Sequence, residues 1–219
     1  SFINALLGWD YFTPQGPSHP QQFDPYYGED QSLNRPLTYV LFNNEDYRKQ
    51  YTAHLRTIIN ELDTNNIRSQ VTDIQSIAAS GVASDANKLF SLNDFYANAE
   101  EDISFAPWGG YGFGGIMSSL RYRLPYLSTH PEISLAPPEL FSVNISNNVV
   151  SISALNTSSV SLMATTSSFN SKFQSFDMND NGVNGDALAN DGIYSCLLPF
   201  SSGNQVKFYI KADNGQAVK

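Results

Sequence analysis

The sequence predicts an α+β protein of two parts, a helical stretch over residues 1–133 and an antiparallel β-sandwich over residues 140–219, joined by a linker at 134–139. Three observations carry this. From about residue 34 to residue 130 the apolar residues recur at helical spacing. From about residue 140 onward the chain is rich in Ser, Thr and Val, alternates apolar with polar, and is broken by frequent turn signals. Between them, His130-Pro-Glu-Ile-Ser-Leu-Ala-Pro-Pro-Glu139 carries three prolines, which stop a helix and extend the chain.

In the first part, Tyr47, Tyr51, Leu55, Ile58 and Leu62 step by four and three, placing one apolar stripe along a helix that Asn43 or Asn44 caps. Ile67, Val71, Ile74 and Ile77 form a second stripe that ends near Gly81. Ser91 and Asp94 make a capping-box start for a third helix over Leu92 to Ile103. Ile116, Leu120, Leu124 and Leu127 make a fourth, with a kink expected at Pro125. Between the third and fourth lies Trp108-Gly-Gly-Tyr-Gly-Phe-Gly-Gly115. It follows a helix and lacks the Lys-Ser/Thr ending of a phosphate-cradling loop, so a flexible aromatic-glycine loop is expected. Trp108, Tyr111 and Phe113 are its candidates for stacking on a glycan or a partner surface.

In the second part, Phe141 to Ile145, Val149 to Ala154, Val160 to Ala164, Phe173 to Phe176, Ile193 to Leu198 and Gln205 to Ala212 read as strands. Asn147-Asn148 and Ser202-Gly203-Asn204 serve as hairpin turns. Six strands at this spacing fit an immunoglobulin-like sandwich whose last strand is expected past Lys219.

Composition narrows the function classes. Twelve basic against twenty-one acidic residues give a net charge of −9, which opposes binding to a phosphate backbone, so no nucleic-acid partner is expected. No run of eighteen apolar residues occurs, and no membrane span is expected. Charged residues make up only 15% of the chain while Ser, Asn, Thr and Gln abound, a balance that points to a secreted or cell-surface protein. The single Cys196 lies in an apolar-leaning run and reads as a small core residue. His19, His54 and His130 have no second imidazole or thiol at ligand spacing, so zinc is not expected. His54 flanks the first stripe, and His130, at a helix end, is placed to interact with the last carbonyls. The remaining carboxylates read as solvated faces. The chain opens at Ser1 directly into an apolar run, and it is expected to be an internal fragment of a longer protein.

The densest chemistry lies in Asp177-Met-Asn-Asp-Asn-Gly-Val-Asn-Gly-Asp186 and Ala189-Asn-Asp-Gly-Ile-Tyr194. Asn-Gly and Asp-Gly pairs let the backbone take positive φ and fold side-chain oxygens inward. Two readings stay open: a pair of tight surface turns, or turns that also hold a hard cation such as calcium. The first half matches an EF-hand loop at Asp177, Asn179, Asn181 and Gly182, but position twelve is Leu188 where such a loop has Glu. A calcium ion would therefore draw on Asp177, Asn179, Asn181, Asp186 and Asp191 in another geometry.

Several segments are similar to the C-terminal part of the CotH kinase family, atypical protein-kinase-like proteins. They are Asn34-Arg-Pro-Leu37, Asn44-Glu-Asp-Tyr-Arg-Lys-Gln-Tyr-Thr-Ala-His-Leu-Arg56, Lys88-Leu-Phe-Ser-Leu-Asn-Asp-Phe95, and Leu120-Arg-Tyr-Arg-Leu-Pro-Tyr-Leu-Ser-Thr-His-Pro-Glu132, spanning roughly residues 6 to 133. The opening Leu6-Leu-Gly-Trp-Asp10 resembles that family's Trp-Asp motif, with Phe12 where the family carries a second polar residue. The resemblance implies the helical C-terminal lobe of a kinase-like fold, with Asp10 as a magnesium ligand. Read from its residues alone, Asp10 caps a turn before Pro14 and Gly16. Phosphoryl transfer also needs a phosphate-holding lysine and a base. The resemblance places both upstream, so magnesium-ATP is implied only for an active full-length parent, and the fragment alone is expected to be inactive.

Asp180-Asn-Gly-Val-Asn-Gly-Asp186 with Ala189-Asn-Asp-Gly-Ile-Tyr194 is similar to the signature of immunoglobulin-like modules in secreted bacterial proteins. Such modules act as spacers or adhesion elements. The implied partners are the rest of the parent chain, other surface proteins, or a glycan. The alternative to the kinase reading is a non-catalytic structural, adhesive or glycan-binding surface component.

Overall fold

The computed structural model describes residues 21–105, 111–167, 173–198, 200, 203 and 205–219. Its elements run in chain order as α1 (Pro36–Asn43), α2 (Glu45–Glu61), α3 (Thr64–Ser84), α4 (Leu92–Ala97), β1 (Ile103–Phe105), β2 (Tyr111–Phe113), α5 (Ile116–Ser128), then β3 (Glu139–Ser146), β4 (Val149–Leu155), β5 (Ser159–Thr165), β6 (Gln174–Met178), β7 (Ile193–Leu197) and β8 (Lys207–Asp213). This is an α+β arrangement of helices and antiparallel sheets. No helix among the described residues is long and apolar enough to cross a membrane.

The helix starts follow local chemistry. The Tyr47 N–H donates to Asn44 Oδ1 at 3.0 Å, so Asn44 opens α2. Asp63 Oδ1 accepts from the N–H groups of Asn65 at 2.9 Å and Asn66 at 3.3 Å, and thereby opens α3. Ser91 and Asp94 form a reciprocal capping box at α4. That helix stops at Ala97 and does not reach Ile103. The N–H groups of Ala99 and Glu100 turn back to the Tyr96 and Ala97 carbonyls, after which Ile103–Phe105 is extended. The segment expected as a flexible aromatic-glycine loop is also partly a strand. Ile103 pairs with Phe113, Ser104 with Gly112 and Phe105 with Tyr111. Pro125 lies inside α5, as the sequence placed it.

The second stripe is rotated from its expected face. Ile74 is 65% and Ile77 81% exposed, whereas Ile67, Val71, Gln75 and Ala78 are half-buried. Gln75 decides this, because its Nε2 donates to the Phe95 carbonyl at 2.6 Å and so faces α4.

The chain divides into two compact units, one of residues Ser1–Asn43 and Leu55–Ser134, the other of Asn44–His54 and Leu135–Lys219. In the first, Tyr26 is 1% exposed; its ring meets Phe42 edge-on at 5.5 Å and tilts against His130 at 5.2 Å. The His130 Nδ1 accepts from the Glu132 N–H at 3.4 Å, in place of the expected role toward the helix carbonyls. His54 is exposed, a flanking residue. The buried Arg56 donates from Nε to the Ile133 carbonyl at 2.8 Å and from Nη2 to the Glu132 carbonyl at 2.6 Å. Burial pulls the Arg56 pKa below its ordinary value.

All six expected strands form in the second unit, as two three-stranded antiparallel sheets ordered β3-β4-β7 and β6-β5-β8. Asn147 and Asn148 take φ of 48° and 66°, a tight turn between β3 and β4. Of the other expected turn, Ser202 and Asn204 lie outside the described residues. Alternate residues of both sheets bury into one cluster: Val150 and Ile152 of β4, Val160 and Leu162 of β5, Cys196 of β7 and Ala212 of β8. Cys196 is a small core residue, its thiol pKa pushed up by burial. Leu135–Pro138 are held to this unit: the Ala136 carbonyl accepts from Asn156 Nδ2 at 3.3 Å and from Asn214 Nδ2 at 3.0 Å.

Candidate metal centre

The connection from β6 to β7 begins where the strand changes partners. Asp177 still pairs with Ser161 of β5, but Asn179 exchanges two hydrogen bonds with Ser195 of β7, at 2.8 and 2.9 Å. The chain has moved from one sheet to the other, and strand alternation ends there. Turn geometry takes over, with positive φ at Gly182, Asn184, Gly185, Asn190 and Gly192. Gly185 is required twice over. Its φ is +97°, and a Cβ there would lie 3.0 Å from Val149 Cγ1, tighter than most side-chain contacts, so that methyl would have to shift.

The carboxylates then organise the turns from within. Asp180 Oδ1 accepts from the Asp191 N–H and Oδ2 from the Gly192 N–H, both at 3.0 Å. Asp186 is 7% exposed, and its Oδ2 accepts from the Gly182 N–H at 2.6 Å. Asp191 Oδ1 accepts from the Ile193 N–H at 2.9 Å. These bonds fold the twelve residues from Asp180 to Asp191 so that one carboxylate oxygen from each of Asp180, Asp186 and Asp191 lies within 4.8 Å of the other two. Two such charges 4.8 Å apart repel by about 3 kcal/mol at an effective dielectric near 20. The backbone N–H groups offset part of that repulsion. A divalent cation would offset the rest, and the all-oxygen donor set suits calcium or magnesium better than a softer metal.

The cluster overlaps the ligand set expected from sequence and adds Asp180. Asp186 and Asp191 belong to it; Asp177, which lies back on β6, does not. Asn181 Oδ1 is engaged by the Val183 N–H at 3.2 Å, and Asn179 sits in the bridge to Ser195. Asp180 is the member the EF-hand phasing skipped. Counting ligands at alternate positions from Asp177 passes over Asp180, and that count fails once the strand ends at Asn179. The signal that would have found it was present: Asp180 opens the Asp-Asn-Gly run that the module signature starts on.

Of the other candidate residues, Asp10 and Trp108 lie outside the described residues. Tyr111 contributes its backbone to β2. Phe113 is half-buried and meets Phe90 edge-on at 5.2 Å. With Leu89, Phe95 and Ile103 these two rings line an open, mostly apolar hollow of about 360 Å³. Its polar members are engaged locally: Asp94 serves the Ser91 cap, and Lys88 Nζ donates to the Asp85 carbonyl at 3.0 Å. Compared with protein-family models, curated proteins and solved structures, the chain matches none.

Proposed function

We propose that the chain is part of a CotH-like protein displayed outside a bacterial cell, in which a helical, kinase-like region is followed by an immunoglobulin-like module that serves as a calcium-clamped spacer. The observation that carries the clamp is the convergence of Asp180, Asp186 and Asp191 at the point where the chain crosses between sheets. A cation held there ties the start of the β6–β7 connection to its end, and so resists the pulling that a surface spacer undergoes. The reading is further supported by two three-stranded sheets sharing one buried cluster, and by the segments that resemble the family. The chain on this reading is structural, and any phosphoryl transfer belongs to a longer parent. The hollow beside Phe113 favours a second role in the helical unit, contact with a glycan or another surface protein.

Asp186→Asn tests the clamp. The amide oxygen can still accept from the Gly182 N–H, and one charge of the mutually repelling cluster is removed, so without calcium the variant should melt at or above the parent chain. Calcium at about a hundred times its Kd adds about 2.7 kcal/mol to the folded state. Thermal unfolding in calcium and in chelator should show that gain in the parent chain and its loss in Asp186→Asn. Equal calcium stabilisation of both proteins, or none in the parent, would reject the clamp.

A further inference from the structure

The chain after β8 turns back on itself. Asp213 Oδ1 accepts from the Gly215 N–H at 2.6 Å, and Asn214 Oδ1 accepts from the N–H groups of Gln216 at 3.0 Å and Ala217 at 2.8 Å. Gly215 takes the positive φ the turn needs. Two rungs of an antiparallel ladder follow. The Asn214 N–H donates to the Ala217 carbonyl at 3.1 Å, and Ala212 and Lys219 exchange hydrogen bonds at 3.2 and 3.0 Å. Ala217 and Val218 are 1% and 3% exposed, so the return is anchored as well as hydrogen-bonded.

This hairpin is laid along the outer edge of β8, whose other edge is filled by β5. Because a strand repeats every two residues, Ile210 and Phe208 direct their backbone N–H and C=O groups to the same edge as Ala212. Among the described residues, nothing pairs with them on that side. Beside that stretch lies a hollow of about 290 Å³ lined by Leu140, Phe141, Val143, Ile152, Phe208 and Ile210. Its far wall is the other sheet's edge strand β3, where Phe141 is 45% and Val143 52% exposed. A bulge at Ser142, with φ of 53°, breaks the β3 ladder at this level.

We propose that the outer edge of β8 is an acceptor for one further antiparallel strand, a segment leading directly on from Lys219, with apolar side chains at its second and fourth residues. The register is set by the Ala212–Lys219 pair. The second residue past Lys219 falls opposite Ile210 and the fourth opposite Phe208, on the face that looks into the hollow. Their side chains cover the apolar lining, and their backbone satisfies the open edge, which otherwise invites pairing with other chains. The proposal deepens the sandwich reading but does not involve the carboxylate cluster, so its test is run in chelator and can fail without touching the calcium clamp.

The probe is the whole chain carrying a five-residue extension after Lys219, Thr-Val-Thr-Val-Thr, compared with the same extension in opposite phase, Val-Thr-Val-Thr-Val. Amide hydrogen exchange is read at Phe208 and Ile210. The Thr-first extension should slow exchange at both amides at least tenfold relative to the unextended chain and raise its Tm; the opposite phase should do so less. Equal exchange with and without the extension would overturn the proposal. Greater protection by the opposite phase would overturn its register.

Discussion

Leu162→Ala is expected to cost the second unit about 3–5 kcal/mol, the upper part of the range for emptying a buried leucine site. Leu162 is fully buried on β5, the middle strand of its sheet, with Phe176 of β6 and Ile210 of β8 as its cross-strand neighbours. Ladder hydrogen bonds hold both flanking strands at fixed spacing, so the walls cannot close over the missing side chain. The lost transfer free energy and the residual cavity therefore add. Equilibrium urea unfolding, followed by amide exchange in β4 and β5, measures the loss. A cost below about 1 kcal/mol would mean that the two sheets do not share a packed core.

Arg56→Ala should destabilise the first unit by about 2–4 kcal/mol, and the balance of terms matters. Arg56 is buried, and among the described residues its Nη1 has no hydrogen-bond partner, so removing the cation recovers some desolvation free energy. Against that, truncation leaves the Glu132 and Ile133 carbonyls without the guanidinium donors that hold the end of the α5 segment. Hydrogen bonds from a charged donor contribute about 1.5–3 kcal/mol each, so two of them outweigh the relief. Arg56→Lys keeps the charge but not the fork, and should recover only part of the loss. Urea unfolding followed by circular dichroism at the helix band reads all three proteins. A more stable Arg56→Ala would show that burial of the cation dominates.

The second half of the fold was more legible than the first. Strands β4 and β5 carry the two-residue alternation in Val, Ile, Leu and Ala that a buried face requires, and Asn147-Asn148 supplies the positive φ of a hairpin turn. The helical half misled where side chains depart from the simple rule. Gln75 occupies a contact position on α3 because its amide meets the Phe95 carbonyl, which turns Ile74 and Ile77 outward. Helix α1 went unread because Leu37 and Val40 point to solvent, leaving Phe42 as its buried member. The Ser91 capping box announced the start of α4, but no Gly or Pro announces its end. Its C-cap, Asn98, is tied at a distance, where its Nδ2 donates to the Phe113 carbonyl at 3.2 Å, and Asp102 Oδ1 accepts from the Gly115 N–H at 2.9 Å nearby. At that joint Gly115 packs so closely that a Cβ would lie 2.6 Å from the Glu101 carbonyl oxygen.

At the candidate metal centre the sequence located the loop but passed over Asp180. Alternation is the correct rule for β6 as far as Asp177 and Met178. Past Asn179 the spacing of ligands is set by hydrogen bonds from the turn backbone to carboxylates, and a bond such as Asp180 to Gly192 spans twelve residues. No local periodicity encodes a contact of that range.

Calcium titrated calorimetrically into the chelator-stripped chain tests the clamp most directly. One saturable site is predicted, with a Kd on the order of 10⁻⁴ to 10⁻³ M, the range of extracellular modules, and with its heat abolished by Asp180→Asn. A folded chain that shows no saturable heat up to about 10 mM calcium, ten times the weak end of that range, would contradict the account.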